Sequence, residues 1–523
     1  MNQRPVPKVR LVRALALVGA LGLAAPLEVD ARPGGGHSYS GGGGHSSSSS
    51  HSYSGGSRSS SHSWGGSSRS SSSRSRSSGG GGGHSYGGGS GPVNDFMALV
   101  CGLVFVFALL VWAMYSKARE REQRFDTIVA APPKPRPSGP RWADLRARDP
   151  DFSAVLFEDF VYALYARAHA ARSDPQAMAA LAPYLAEGPR QALLNREPVG
   201  AKISGVIVGK LQVLRVTVKD VARVELVIEA NYTAELAAGP QGHYVEERWA
   251  LERAQGVTSK PPADVYAFAC PSCGGPYQRS DEGRCLRCAQ QVEDGRFDWS
   301  VRTIRVLRQE TRPPALTGDV AEQGTNLPSV LEAQIERRYA AFVAEDPGVK
   351  QDALDRRVRA IYAALNAGWT DLDLRPTRPF VSDALYNYLS YWIEAYRAQG
   401  LRNVLEDMAI SRVQVVKLTR DHHFDAITLR IWARGRDYTV AVRDGRRVSG
   451  NKTRPRAYSE YWTLIRGAAV RGAPRAATDC PNCGAPLDRV NMAGNCEYCG
   501  AHLTRGEFDW VLSKIEQDES YTG

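Results

Sequence analysis

Outside four CxxC pairs the chain has a single cysteine, Cys101, and that one lies in an apolar run. From residue 116 onward there is no P-loop, no dinucleotide fingerprint and no elbow presenting a nucleophilic serine, which excludes the phosphate-cradling and acyl-transfer chemistries that depend on those loops. The Gly-rich stretch over 33–92 lacks the strand and helix context such loops need. Surplus charge is also scarce where the folded body would be. The chain carries +11, but residues 1–124 hold thirteen Lys and Arg against five Asp and Glu, so +8 lies there and only +3 is left for residues 125–523. Bulk charge therefore gives no support to a nucleic-acid-binding body.

What is present begins with a basic start (Arg4, Lys8, Arg10, Arg13), an apolar run and small residues before Arg32, the layout of a secretory signal peptide over 1–31 with cleavage after Ala31. Residues 32–92 are Gly, Ser, His and Arg, too poor in apolar side chains to offset the entropy of ordering. His37, His45, His51, His62 and His84 each precede Ser there and read as parts of a solvated linker. Phe96–Tyr115 has twenty residues without a charge, enough to cross a hydrocarbon core of about 30 Å. Lys117, Arg119, Arg121 and Arg124 follow it, and that bias predicts an outside N-terminus and an inside C-terminus. The expected location is a bacterial inner membrane, with the C-terminal domains in the cytoplasm.

In a reducing compartment paired CxxC motifs favour metal over disulfide. Cys270, Cys273, Cys285 and Cys288 form one set, and Cys480, Cys483, Cys496 and Cys499 the other. Each set is followed at the same distance by Phe-Asp-Trp, at 297–299 and 508–510. Four thiolates suit tetrahedral Zn²⁺, with Gly274 and Gly484 allowing the tight backbone after the first pair. The expectation is two structural zinc ribbons whose folding energy is the metal itself. A catalytic zinc would need an open position and histidine or carboxylate ligands, which neither set offers. Trp299 and Trp510 are expected to pack each ribbon onto the domain before it.

The stretches before the two ribbons resemble one another. In the first, Phe152, Val155, Leu156, Phe160, Ala163 and Leu164 lie on one face of a predicted helix, a second helix follows, and ISGVIVGKLQVLRVTV, ARVELVIEANYTAEL and HYVEERWALERA read as strands. In the second, Leu354, Val358, Ile361 and Leu365 share a helical face, and SDALYNYLSYWIEAYRAQG is a helix capped by Ser382. The strands SRVQVVKLT, FDAITLRIWARG, RDYTVAVRDG and AYSEYWTLIRGA come after it. EYWTLIR (460–466) falls on ERWALER (247–253), so a whole module is duplicated.

These features carry a family resemblance. The N-terminal layout, AALNAGWTDLDLRPTRPFVSDALYNYL, and the closing EYWTLIR and ERWALER strands resemble the bacterial Tim44-like family. Its namesake is the peripheral subunit that tethers the mitochondrial inner-membrane import motor. The resemblance implies an α+β fold of two cone-like domains of the nuclear transport factor two type, helices on a bent antiparallel sheet around an apolar pocket. Each would be followed by a four-cysteine ribbon, behind a single transmembrane helix. The expected division is signal peptide 1–31, low-complexity segment 32–92, span 95–115, linker 116–147, first domain 148–260 and first ribbon 261–310. A linker and helix over 311–345, the second domain 346–472 and the second ribbon 473–516 complete it.

The expected function is a membrane-tethered cytoplasmic binding or scaffold protein, linked to protein translocation or membrane-protein assembly. Its partners would be the membrane and another protein. The alternatives are a cone-fold small-molecule enzyme or carrier, and an RNA- or ribosome-associated membrane anchor. An enzyme would need a carboxylate or His inside the cone. His169 is expected on a polar helix edge, His422 and His423 in a solvated turn, and Glu247 and Glu460 in rim ion pairs with Arg253 and Arg466. No catalytic residue is therefore assigned. The basic run Arg434–Arg456 reads as a solvated hairpin rim.

Overall fold

The computed structural model describes residues 109–112 and 142–523, apart from 263–267, 294, 312–323, 475–478, 488, 492–493 and 519. The expected signal peptide and low-complexity segment lie outside these residues. Of the expected span only 109–112 is described, as a single exposed helical turn. The expectation of a fold behind a transmembrane helix is corrected here. Crossing takes about twenty apolar residues in one helix, and among the described residues no helix is long and apolar enough to cross a membrane.

The protein is α+β, with two antiparallel sheets. The first repeat starts with α1 (Trp142–Arg148), α2 (Ala154–Ala170), a 3₁₀ turn (Ala171–Ser173), α3 (Pro175–Ala180) and α4 (Glu187–Leu194). Its sheet is β1 (Lys202–Val218), β2 (Val221–Leu236), β3 (Gly239–Ala254) and β4 (Ser300–Thr311), paired in that order. The second repeat has α5 (Ile335–Glu345), α6 (Gln351–Thr370), a 3₁₀ turn (Arg375–Phe380) and α7 (Asp383–Ala398). β5 (Leu401–Arg420), β6 (Phe424–Ala441), β8 (Arg456–Gly467) and β9 (Val511–Gln517) form its sheet, with the short β7 (Arg447–Gly450) paired to β6.

Neither sheet ends where the sequence reading ended it. The ribbon does not follow a finished domain but is inserted into a hairpin: the chain leaves β3 at Ala254, makes the cysteine segment, and returns as β4 beside β3. β8 and β9 repeat this arrangement. Strands β4 and β9 were hidden behind the ribbons because each follows the Phe-Asp-Trp tail directly, β9 being short and β4 weakly alternating. The edge strands β1 and β5 each contain three register shifts. Bulges of this kind bend a strand and increase its twist, curling each sheet around its helices.

In the first repeat Phe157, Val161, Leu164, Tyr165 and Ala168 of α2 pack on Val224, Leu226, Ile228, Trp249 and Leu251 of the sheet. In the second, Leu354, Val358, Ile361 and Leu365 of α6 pack on Ile427, Leu429, Ile431, Trp462 and Leu464. The α2 face read from sequence mixed two surfaces. Val155 and Leu156 turn away from their own cone and pack on Phe424, Ala426, Ile465 and Val511 of the other repeat. Ile207 of β1 likewise joins the second core, and a Cβ added at Gly209 would meet the Tyr388 ring at 3.9 Å. β6 is buried on both faces over Phe424–Ile431, whereas β2 alternates: the outer face of β6 is covered by the first repeat at Phe424 and Ala426 and by Gly324 and Leu327 at Arg430.

One buried ion pair recurs in each repeat. Asp149, four residues before the Ser153 cap of α2, accepts from Arg253 Nη2 at 2.6 Å and from Ser259 N at 3.0 Å. Asp346 accepts from Arg466 Nη2 at 2.8 Å and from Gly472 N at 3.1 Å. All four charged side chains are at most 3 % exposed. Each guanidinium also covers the indole of the ribbon's trailing Trp, Arg253 at 4.7 Å from Trp299 and Arg466 at 4.5 Å from Trp510. Burial alone would raise the Asp346 carboxyl, but Arg466 and the amides of Gly472 and Gly348 outweigh it and hold it below its usual value.

Asp346→Asn, which leaves Arg466 only the more distant carboxylate of Asp425 at 3.8 Å, should therefore cost about 3 kcal/mol, read from denaturant melts. A depressed carboxyl contributes stability that is complete above the unfolded-state value near 4 and is lost as pH falls through the folded one. The gap between variant and parent should accordingly shrink on acidification from pH 5, and a gap independent of pH would contradict the assignment.

Candidate metal centres and the cleft between the repeats

Each CxxC closes the same backbone turn. Gly274 N donates to Cys270 O and Gly484 N to Cys480 O, both at 2.8 Å, with Gly274 and Gly484 in the left-handed region at φ 70° and 75°. The second pair of each set repeats it: Ala289 N reaches Cys285 O and Gly500 N reaches Cys496 O, again at 2.8 Å. These turns bring four sulfurs together, all within 4.8 Å of one another in both sets. Cys270 and Cys288 are 3.8 Å apart, Cys480 and Cys499 3.8 Å, and Cys483 and Cys496 3.9 Å. A disulfide needs about 2.0 Å. A tetrahedron with metal–sulfur bonds of about 2.3 Å has edges of about 3.8 Å, so both quartets fit one tetrahedral metal ion. Four thiolates fill such an ion's coordination and leave no position for substrate.

Local donors already favour thiolate at one corner of each set. The Gln290 amide, with help from Ser272, draws Cys288 down to about 7. Asn482 and the Ala501 amide draw Cys499 down to about 6. Burial pushes Cys270 the other way, to about 12.

The Phe-Asp-Trp tails tie each quartet to its cone. Asp298 and Asp509 each accept the amide of the following Trp, at 2.8 and 2.7 Å. Lys260 pairs with Asp298 at 2.7 Å. Arg357 of α6 donates to Trp510 O at 2.7 and 2.9 Å. Trp299 and Trp510 are buried in the two cone cores, so they are not available as recognition surfaces.

A third feature was not legible in the sequence. Between the repeats lies a cleft of about 470 Å³. One wall is the outer face of α2 (Asp159, Tyr162, Ala163, Ala166) with Val206–Leu211 of β1. The other is the start of α7, the ends of β6 and β8, β9 and the second ribbon's Thr504–Glu507. Titratable side chains line the cleft: Tyr162 of α2 with Lys514 and Glu516 of β9. Behind the lining, Glu158 of α2 pairs with Lys514, and Lys417 lies near the same group. Burial raises Glu516, lowers Lys417 and raises Tyr162, whereas at Lys514 the effect of burial is outweighed by Glu158, Tyr162 and Glu516 together, which raise it.

The sequence candidates for catalysis fall elsewhere. His169 is not on a polar edge. It follows Val161 and Tyr165 on the core stripe of α2, fully buried, with Nε2 3.3 Å from Glu247. Glu247 is not a rim residue either: it accepts from Trp249 Nε1 at 3.0 Å and pairs with Arg196. Glu460 accepts from Trp462 Nε1 at 3.0 Å and from Gln517 at 3.1 Å. Each glutamate caps an indole two residues along its own strand, and Arg253 and Arg466 are spent on the aspartates. His422 is exposed beside Asp151 at 3.2 Å, while His423 lines the cleft. In the basic hairpin Arg436 pairs with Glu406 and Asp407 and Arg443 with Asp444, as expected of a solvated rim.

Residues 335–474 match the family model of the Tim44-like domain. The matched segment runs from the start of α5 to just past β8, stopping short of the second quartet and β9. No curated protein sequence matches the chain.

Metal analysis of the purified chain should give two ions per molecule, and Cys270→Ser or Cys480→Ser should each remove one. Loss of both ions from either single variant would contradict two independent quartets.

Proposed function

We propose, from a second repeat that is a Tim44-like domain, that this protein is a membrane-associated binding scaffold working in protein translocation or membrane-protein assembly. It is a binding protein in this reading, with its described body on the cytoplasmic face of a bacterial inner membrane. The eight thiols, spaced for metal and not for disulfides, support that reducing location. The ions are Zn²⁺ held by Cys270, Cys273, Cys285 and Cys288, and by Cys480, Cys483, Cys496 and Cys499, in structural roles.

The observation that carries the proposal is the cleft. Its walls come from both repeats and the second ribbon, so it exists only in the duplicated, ribbon-bearing chain. Apolar walls from Leu156, Ala163, Val208, Leu385 and Phe424 suit the side chains of a partner protein segment. The acid, base and phenol in its lining can meet backbone or side-chain polar groups of that segment. The two glutamates buried inside the cones, Glu247 and Glu460, are already committed to capping indoles, and Glu516 in the cleft has Lys514 beside it as a counter-charge, an arrangement that favours binding over catalysis.

A photo-crosslinking amino acid at Ala163, used in native membranes, should capture a discrete protein partner. Ala163→Trp, which fills the cleft at a half-exposed position, should reduce that partner's co-purification at least tenfold with Tm unchanged. Undiminished co-purification would remove the cleft from the binding surface.

A further inference from the structure

The first cone contains buried positive charge that nothing described balances. Arg172, in the 3₁₀ turn after α2, is 3 % exposed. Its Nη2 donates to Arg196 O at 2.7 Å and to Glu197 O at 3.1 Å. Its Nε and Nη1 have no hydrogen-bond partner, and it forms no ion pair among the described residues. Glu247, the acid of this interior, is already shared by Arg196, Trp249 and His169. Two guanidiniums thus face one carboxylate.

Unspent polar groups collect at the same place. The Arg172 guanidinium lies 5.3 Å from the ring centre of Tyr232, and His243 stacks on the same tyrosine with ring centres 5.2 Å apart. Both nitrogens of His243, at 4 % exposure, are without partners, as are the hydroxyls of Tyr232 and Tyr165. Buried polar groups are almost always paired, and a buried charge without a counter-charge is more costly still. The second repeat shows the alternative solution. At the spacing that relates Asp149 to Asp346, Arg172 is replaced by Trp369, whose Nε1 donates to Asn403 at 3.0 Å, and Tyr165 by Tyr362, which bonds Tyr458 at 2.8 Å. That cone needs no counter-charge there.

We infer that the first cone binds a small anion, of halide or simple carboxylate size, between Arg172, His243 and the Tyr232 hydroxyl. The guanidinium supplies the charge and two N–H donors, the phenol an O–H, and a neutral imidazole one N–H. Burial, then Arg172, lowers His243, which keeps that ring neutral without removing its donor. The neighbouring rings pack directly on one another, with centroids 4.3–5.3 Å apart, so the guest has no place between their faces and must sit at their polar edges, as a single small ion can. The site is independent of the cleft and of the scaffold reading. An internal water would satisfy the donors but leave the charge, and the test separates the two.

The test is the melting temperature of the full chain in chloride, formate and gluconate at one ionic strength and pH 7.5. Chloride or formate should raise Tm over gluconate, whose bulk the rings exclude, by roughly 2 °C or more and in a saturable way. Arg172→Met should abolish that difference while melting no lower than the parent in gluconate. Equal Tm values in all three salts, or a difference that survives R172M, would overturn the site. If R172M does not fold, chloride NMR linewidths on the parent and on His243→Phe decide instead. Broadening that formate reverses and H243F weakens supports the site, and no broadening on the parent rejects it.

Discussion

Much of this fold rests on a buried carboxylate that receives an arginine from the far end of the sheet. Asp149 and Asp346 precede the long helices, while Arg253 and Arg466 close the Trp-bearing strands 104 and 120 residues later. Each aspartate then catches the backbone six residues past its arginine, at Ser259 or Gly472, as the chain leaves for the ribbon. The same arginine covers the indole with which the chain comes back. One charge pair therefore joins helix start, strand end, ribbon exit and ribbon return. Neither partner can be buried alone, because the desolvation of an unmatched charge exceeds what the surrounding packing supplies.

That clasp clarifies why the ribbons sit inside hairpins. Bringing β4 beside β3 closes a gap of 45 residues, and β9 beside β8 one of 43. For a flexible loop of that length the entropy of closure is about 3 kcal/mol before any constant. A metal ion held by the quartet would shorten the loop by tying its interior into a rigid knot, and the Trp after it lies in the cone core. Metal binding and cone closure would thus be coupled: the ion would order the loop, and the ordered loop would deliver the last strand.

The sequence was most legible where one periodicity served one surface. Leu354, Val358, Ile361 and Leu365 were read as one face and are all buried at 1 % exposure or less. Ser382 was read as a cap and accepts from Leu385 N at 3.3 Å. The CxxC spacing placed all eight thiols. Legibility failed where one element serves two surfaces. α2 carries apolar residues on two faces, so the stripe blended cone-facing and partner-facing positions, and His169, which lies on the core stripe, was placed on a polar edge. β4 and β9 belong to the cones but follow ribbon residues without a turn signal. The cleft could not be read at all, since its walls are brought together by packing between segments far apart in the chain.

The two-faced α2 also bears on how the duplication can be used. A second cone alone would expose Phe424, Ala426, Ile465 and Val511, an apolar patch on the outside of its sheet. A first cone alone would expose Val155 and Leu156 and leave Glu158 without Lys514. Each repeat therefore completes the other's surface, and the boundary between them is not a hinge between independent modules. Fixed in this way, the repeats were free to diverge inside: the second cone closes its aromatic cluster with neutral hydrogen bonds, whereas the first keeps a guanidinium. The outer packing holds the pair together, and the interiors are where the two copies differ chemically.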